Sequence, residues 1–499
     1  MNNPILHLSI CCVLLLSRLL LPYGIYLFVP YTISFALIYF ISNRNFLSIS
    51  NFFQVFKSNI PFFILSFGFI IGIIFSTQMP FYLLKEVFAM FMLFLLIFLF
   101  YCIIDTKKHF QTFLSYFKKG LYLIVFFTSI LAIFKFNLEL ADIYFDFLRT
   151  NSDKYYPVGT TLIIDYNFYS LMNIVCFVFL FFDLIKIEND KKKNIYLQLL
   201  MFLIYNNVFF SSSRRGWMLL LFVNGCLFLY SFYKILKKRN NFKFPLIYFG
   251  FVFSFTFLFF SFFRTPHSFQ DKVLTSLHFN KEYFNFEINR ISNRYLTIFF
   301  PNKTIQLTNP YLNGESTGTI KEDNSQINTI TPTAPTDTLN VEEAKSEERV
   351  NIKTVLSDTN NLSGNRMIRI KYAMYLFKES SLQAKIFGSG FDYMKAFGNH
   401  FFTKRSLPFH YDYPHNPFLS SLLYGGIIGL LITVLFAAYN LVVTIKLISD
   451  IPEFIIIYVF FLYFIFFSFN SLFGVPEFLF FTIVSSRIYF LNNRTSDVK

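Results

Sequence analysis

Long uncharged apolar runs alternate with short polar clusters along most of the chain, at about 5–22, 24–42, 60–76, 86–104, 119–136, 168–185, 195–211, 216–233, 244–263, 416–445, 454–470 and 474–490. Crossing a bilayer core takes roughly 20 apolar residues in a helix, because lipid offers no partner to a backbone N–H or C=O. The pattern therefore predicts an all-α polytopic membrane protein of about 12 transmembrane helices. The first run lacks a basic start and carries Arg18 near its end, so it reads as a first span and not as a cleaved leader.

One connection breaks the rhythm. Between the ninth and tenth runs lies a segment from about 264 to 413, dividing the chain into helices 1–9 (1–263), a large loop (264–413) and helices 10–12 (414–499). Its middle, about 301–362, is rich in Thr, Asn, Pro and Glu and holds one aromatic residue, Tyr311, so disorder is expected there. The stretch "NRMIRIKYAMYLFKES" that follows sets Met367, Ile370, Met374 and Phe377 at helical spacing. It predicts an amphipathic helix over about 364–380, lying on the outer membrane surface with Arg366 and Arg369 beside its apolar stripe.

Charge adds the orientation. With a cytoplasmic N-terminus, the inner connections hold nineteen Lys or Arg and the outer ones, apart from the large loop, only Lys85, Lys135, Arg149, Lys154, Arg214 and Arg215. That inside excess predicts both termini in the cytoplasm. It also accounts for most of the net charge of +15, which is therefore weak grounds for a nucleic-acid partner. The five cysteines all fall in apolar runs, without a CxxC or a histidine at ligand spacing, so neither a disulfide framework nor a metal site is expected.

Four stretches carry candidate chemistry. "SSSRRGW" opens the eighth run on the outer side, where a helix N-terminus already presents about half a positive charge. Arg214 and Arg215 are either snorkelling anchors or, with the serine hydroxyls (Ser213 among them) and free N–H groups, a pocket for a phosphate or pyrophosphate. "HYDYPHNPFLSSLLYGGIIGLL" places His415 and Asn416 at the outer mouth of the tenth run. His415 is either structural or a proton acceptor near neutral pH, with Asp412 close in sequence to orient it, while Gly426 and Gly429 allow close helix approach. In "PVGTTLIIDYNFYS", Asp165 and Asn167 either cap the sixth helix or hydrogen-bond a sugar. "AKIFGSGFDYMKAFG" reads as an architectural turn.

The order of these stretches resembles the O-antigen ligase and polymerase superfamily of bacterial inner membranes. Ser213 and Arg214 stand where that family has a Ser-Arg pair at the start of a span, and Arg366 matches the arginine that opens its amphipathic loop helix. "IFGSG" is similar to the family's P-x-x-G-x-G turn without its proline, and Gly159, Asp165 and Asn167 resemble its G…D-x-N stretch. His415, Asn416, Gly426 and Gly429 meet the ligase histidine motif in full. The resemblance implies a GT-C-like helical fold with a large periplasmic loop. It also implies a metal-independent glycosyltransferase without a cofactor, acting on a glycan carried by undecaprenyl pyrophosphate. The acceptor would be a lipid A-core sugar for a ligase, a second lipid-linked glycan for a polymerase, or a Ser or Thr hydroxyl for a protein O-oligosaccharyltransferase.

On that reading Arg214 (helped by Arg215) and Arg366 stabilise the leaving pyrophosphate, with Ser213, Arg369, Asn416, Asp165 and Asn167 lining the substrate, and His415 takes the acceptor's proton. Two rivals belong to other classes. A lipid-linked sugar flippase calls for repeat-related broken helices and a midplane site, and the chain has no internal repeat. A surface-binding module on a membrane anchor calls for a loop richer in aromatic residues than 301–362.

Overall fold

The computed structural model describes residues 3–21, 24–43, 53, 60–76, 81–140, 159–162, 166–186, 191–211, 213–237, 243–262, 362–401, 413, 414, 416–448, 488 and 491. Of these residues 89% are helical and none is in a strand. The helices are α1 (Pro4–Ser17), α2 (Gly24–Ser42), α3 (Ile60–Ile74), α4 (Phe81–Ile103), α5 (Lys107–Leu140), α6 (Tyr166–Lys186), α7 (Lys191–Phe210), α8 (Arg214–Leu236), α9 (Lys243–Phe262), α10 (Leu362–Glu379), α11 (Leu382–Phe387), α12 (Asp392–Phe401) and α13 (Pro417–Ile448). The expected span at 454–470, nearly all of that at 474–490, and the polar insertion up to residue 361 lie outside the described residues.

Among the described residues four helices are long and apolar enough to cross a membrane: Lys107–Leu138 in α5, Asn167–Lys186 in α6, Arg215–Leu236 in α8 and Pro417–Leu447 in α13. Pro4–Ser17, Tyr26–Ser42, Phe91–Ile103 and Ile247–Thr256 are shorter apolar helices. Local chemistry sets several ends. Asn3 caps α1 by accepting from Leu6 N–H at 3.1 Å, with Pro4 in the first turn, where a missing N–H costs nothing.

Burial separates the helices by position. In α6, 83% of the apolar window is buried, against 33% in α8 and in α13, so α6 is the bundle's centre and its apolar residues face protein on all sides. By contrast α5 exposes Leu123, Phe127, Ile130 and Phe134, spaced three and four apart along one face. A continuous exposed stripe of large apolar side chains in a long helix is a lipid-facing surface.

The charge pattern placed Lys118 in an inner connection, and here the fold differs. The helix expected at 119–136 begins at Lys107, and its first three turns bury Phe110, Phe113 and Phe117. Lys118 Nζ donates to Asp183 Oδ1 at 2.7 Å, and Tyr122 Oη donates to Asp183 Oδ2 at 2.7 Å, tying α5 to the end of α6. The pair gives the buried Lys118 an oppositely charged, half-buried partner on the neighbouring helix.

The direction of each helix follows from its contacts. Phe117 packs on Phe179 and Lys118 on Asp183 near the start of α5 and the end of α6, so the two run antiparallel. Phe126 packs on Tyr196 and Phe136 on Phe210, so α5 and α7 run parallel. Phe209 meets Trp217 across the turn into α8, which runs back again. Phe100, near the end of α4, packs on Phe113, near the start of α5. Phe63 in α3 meets Phe94 in α4, so the end of α3 lies at the opposite end of the bundle, together with the end of α5 and the starts of α6 and α8. The start of α13 joins them, because a Cβ on Gly72 of α3 would collide with the Tyr424 ring.

Candidate functional site

The start of α8 is built by its neighbours. Ser213 is the N-cap: its hydroxyl accepts from Gly216 N–H at 2.9 Å and donates to Asn167 Oδ1 at 2.9 Å. Ser211 is engaged as well, donating to Val208 C=O at 2.7 Å and bonding the Ser170 hydroxyl at 2.9 Å. Both serines are fully buried. Of the serine hydroxyls expected to help form an anion pocket, those of Ser211 and Ser213 are engaged within the fold, where they join α6, α7 and α8. Gly216 is required by closeness, since a Cβ there would run into Ser170 Cβ.

The "PVGTTL" stretch closes the corner from the other side. Thr160 N–H donates at 3.3 Å to Phe210 C=O, the last carbonyl of α7, and its hydroxyl donates at 2.8 Å to Asn207 C=O, which also accepts from Ser211 N–H at 3.0 Å. Gly159 lies against the same Phe210 carbonyl. Lys135, 4% exposed near the end of α5, donates to Thr161 C=O at 2.9 Å. Sequence reasoning counted Lys135 only as an outer charge and passed over Thr160, Ser170 and Asn207. The signal was present, because a lysine or asparagine inside an apolar run is costly unless it is used. Asn207 is fully buried, and neither atom of its side-chain amide has a hydrogen-bond partner.

The second corner is an outer layer of α10, α11 and α12 on the start of α13. Tyr372 of α10 packs edge-on against Phe397 of α12 with ring centroids 4.9 Å apart, and its hydroxyl donates to Ala396 C=O at 3.3 Å. Burial raises the pKa of the Tyr372 phenol, with Tyr375 nearby adding to the shift, and burial also pushes up that of Tyr393 of α12. The buried face of α10 is Ile368 and Ala373, whereas Met374, expected in the apolar stripe, is 48% exposed. Among the described side chains of α10, protein neighbours cover Ile368 and Ala373.

Asn416 is the N-cap of α13, its Oδ1 accepting from Phe418 N–H at 3.0 Å and Leu419 N–H at 3.1 Å, with Pro417 in the first helical position. Further along, α13 is broken: Gly426 has φ 65°. The carbonyls freed above the break are taken by the "GSG" turn, Ser389 N–H donating to Leu423 C=O and Gly390 N–H to Tyr424 C=O, both at 3.0 Å. The fit is mutual. Gly388, at φ 83°, and Gly426 each face the other segment so closely that a Cβ would collide with its backbone. The turn also reaches Ser76, two residues past the end of α3, whose hydroxyl accepts from Phe391 N–H at 2.9 Å.

Arg369, in α10, donates from Nη1 to the carbonyl of Tyr413 at 3.1 Å, two residues before His415. His415, Asp165 and Asp412 lie outside the described residues, as do the side chains of Arg214 and Arg366. The backbone nevertheless places Arg214 and Arg215 in the first turn of α8, and Arg366 one turn before Arg369 in α10. Asn167 and Ser213 are thus brought together on α6 and α8, and Arg369 and Asn416 on α10 and α13 flanking the His415 position, at the same end of the bundle. Among the described residues no three His, Cys, Asp or Glu side chains gather as a metal-ion site. The chain matches no family model, no curated protein and no solved structure, so its functional reading rests on these residues and their geometry.

Proposed function

We propose that the chain is an O-antigen ligase-like glycosyltransferase with about 12 spans and a GT-C-like fold, both termini cytoplasmic, in a bacterial inner membrane. It passes a glycan from undecaprenyl pyrophosphate to a lipid A-core hydroxyl at the periplasmic face. A polymerase extending a second lipid-linked glycan, or a protein O-oligosaccharyltransferase, would use the same residues. The observation that carries the reading is that one end of an apolar bundle holds both the Arg214–Arg215 helix start and the arginine-braced His415 segment.

The roles follow from the charges. The acceptor oxygen attacks the anomeric carbon as its proton passes to His415, and the bond from that carbon to the pyrophosphate oxygen breaks with inversion. Arg214, Arg215 and Arg366 hold the two or more negative charges that remain on the leaving lipid pyrophosphate. Fixed cations at a membrane edge, where water is thinned, are worth more than in bulk.

His415→Ala and Arg214→Ala are each expected to lower glycan transfer by about 10²-fold or more while the protein still accumulates in the membrane. Full transfer by either variant sinks the assignment. Deleting the chain separates the acceptors. Free polymer unattached to lipid A marks a ligase, a single repeat on lipid A marks a polymerase, and unglycosylated protein marks the third.

A further inference from the structure

Arg369 was expected to line the substrate, yet its guanidinium reaches a backbone carbonyl of its own chain. The break at Gly426 makes that contact consequential. A continuous α13 would carry the direction of its membrane span out to Asn416, but a residue at φ 65° severs that line. The outer part of α13 is oriented instead by what grips it. At its lower end the Ser389 and Gly390 N–H groups hold the Leu423 and Tyr424 carbonyls, and the Phe391 ring packs edge-on against Tyr424 with centroids 5.0 Å apart. At its upper end Arg369 holds the Tyr413 carbonyl at 3.1 Å. Both grips come from the same layer, α10 to α12, so the layer and the outer part of α13 form one unit. Asn416, cap of α13, stands one residue beyond His415 and fixes the chain on that side.

We propose that Arg369 is a positioning residue. By holding the Tyr413 carbonyl it fixes the chain at Tyr413 and Pro414, from which His415 follows to meet the acceptor hydroxyl. The role of His415 rests on the glycosyltransferase reading; the brace itself does not. Arg369 touches no substrate in this account, and the anion falls to Arg366 one turn earlier on the same helix.

Pro414 is buried between the braced carbonyl and the cap, which makes it a reporter that needs no activity. In a Pro414→Cys chain, a membrane-impermeant maleimide should label residue 414 slowly. Adding Arg369→Met, which keeps the apolar stem and loses the donors, should speed labelling about tenfold, since a hydrogen bond from a charged donor is lost. Arg369→Lys, which keeps a cationic donor of similar reach, should stay slow. Without the reporter, Arg369→Met should lower kcat about tenfold and leave the KM for the lipid-linked donor within about threefold, with Arg369→Lys recovering most of kcat. Unchanged labelling in Arg369→Met, or a rise in donor KM with kcat intact, overturns the proposal and returns Arg369 to the substrate. Labelling that responds to Arg369→Met while His415→Ala transfers fully would leave the brace standing and remove the glycosyltransferase reading.

Discussion

The two corners of this protein use the same few residue types to opposite ends. Around α6, Ser, Asn, Thr and Lys side chains turn inward and bond to one another and to backbone carbonyls, locking α5, α6, α7 and α8 into one corner. At the start of α13 the helix is broken, and a turn made of two glycines and a serine fills the gap with backbone N–H groups. The first arrangement builds a fixed platform for a helix N-terminus, and the second hangs the segment ahead of α13 on a separate layer. Polar residues in an apolar protein are thus no guide to substrate contact by themselves. Their meaning depends on whether their hydrogen-bonding capacity is already spent within the fold.

The contrast can be broken at several points. The largest effect is expected at the far end of the α5–α6 corner, where Asp183→Ala leaves the Lys118 ammonium buried without its carboxylate and costs about 4 kcal/mol of stability. Thermal unfolding of the detergent-solubilised protein measures it, and a loss under about 1 kcal/mol would mean the pair is solvated and the corner less tightly held. In the second corner, Gly388→Val places a branched side chain at positive φ against the Tyr424 backbone and should cost about 3 kcal/mol. Because the turn is the lower grip on α13, limited proteolysis should show α10 to α12 loosened while the α5 to α8 core stays protected. Equal loosening of both regions would make them a single cooperative unit.

The subtlest comparison is between the two caps. Ser213→Ala removes a cap and the bond to Asn167, whereas Asn416→Ala removes a cap alone, so losses of about 2 and about 1 kcal/mol are expected. Ser213→Ala should leave the KM for the lipid-linked donor within about threefold, and a tenfold rise would put the Ser213 hydroxyl back in the substrate's path.

Much of the helical layout was legible because lipid-crossing helices announce themselves by long apolar runs. The start of α5 was not. Lys107, Lys108, Lys118 and Lys119 read as an inner connection, although Phe110, Phe113 and Phe117 at spacings of three and four already spelled a helix with a buried face. Asn416 and Ser213 stand at the starts of apolar runs in the sequence, but a capping side chain and a ligand-binding one look alike until their partners are known. The Gly426 break left no trace, since the apolar run continues through it and the glycine is equally suited to close helix packing.

What the sequence alone determined is the helical, membrane-spanning character of the chain, the order of its runs and the marking of both helix starts by arginine, histidine and capping residues. These depend on local properties: apolar length, charge and side-chain type. The tertiary structure alone decided which hydroxyls are already occupied, that Lys118 and Lys135 are buried and bonded, that α13 is two pieces joined at Gly426, and that Arg369 braces the chain beside His415. Each of these depends on a partner 26 or more residues away, or on a backbone torsion set by a neighbouring turn, and no pattern along the chain encodes such a partner.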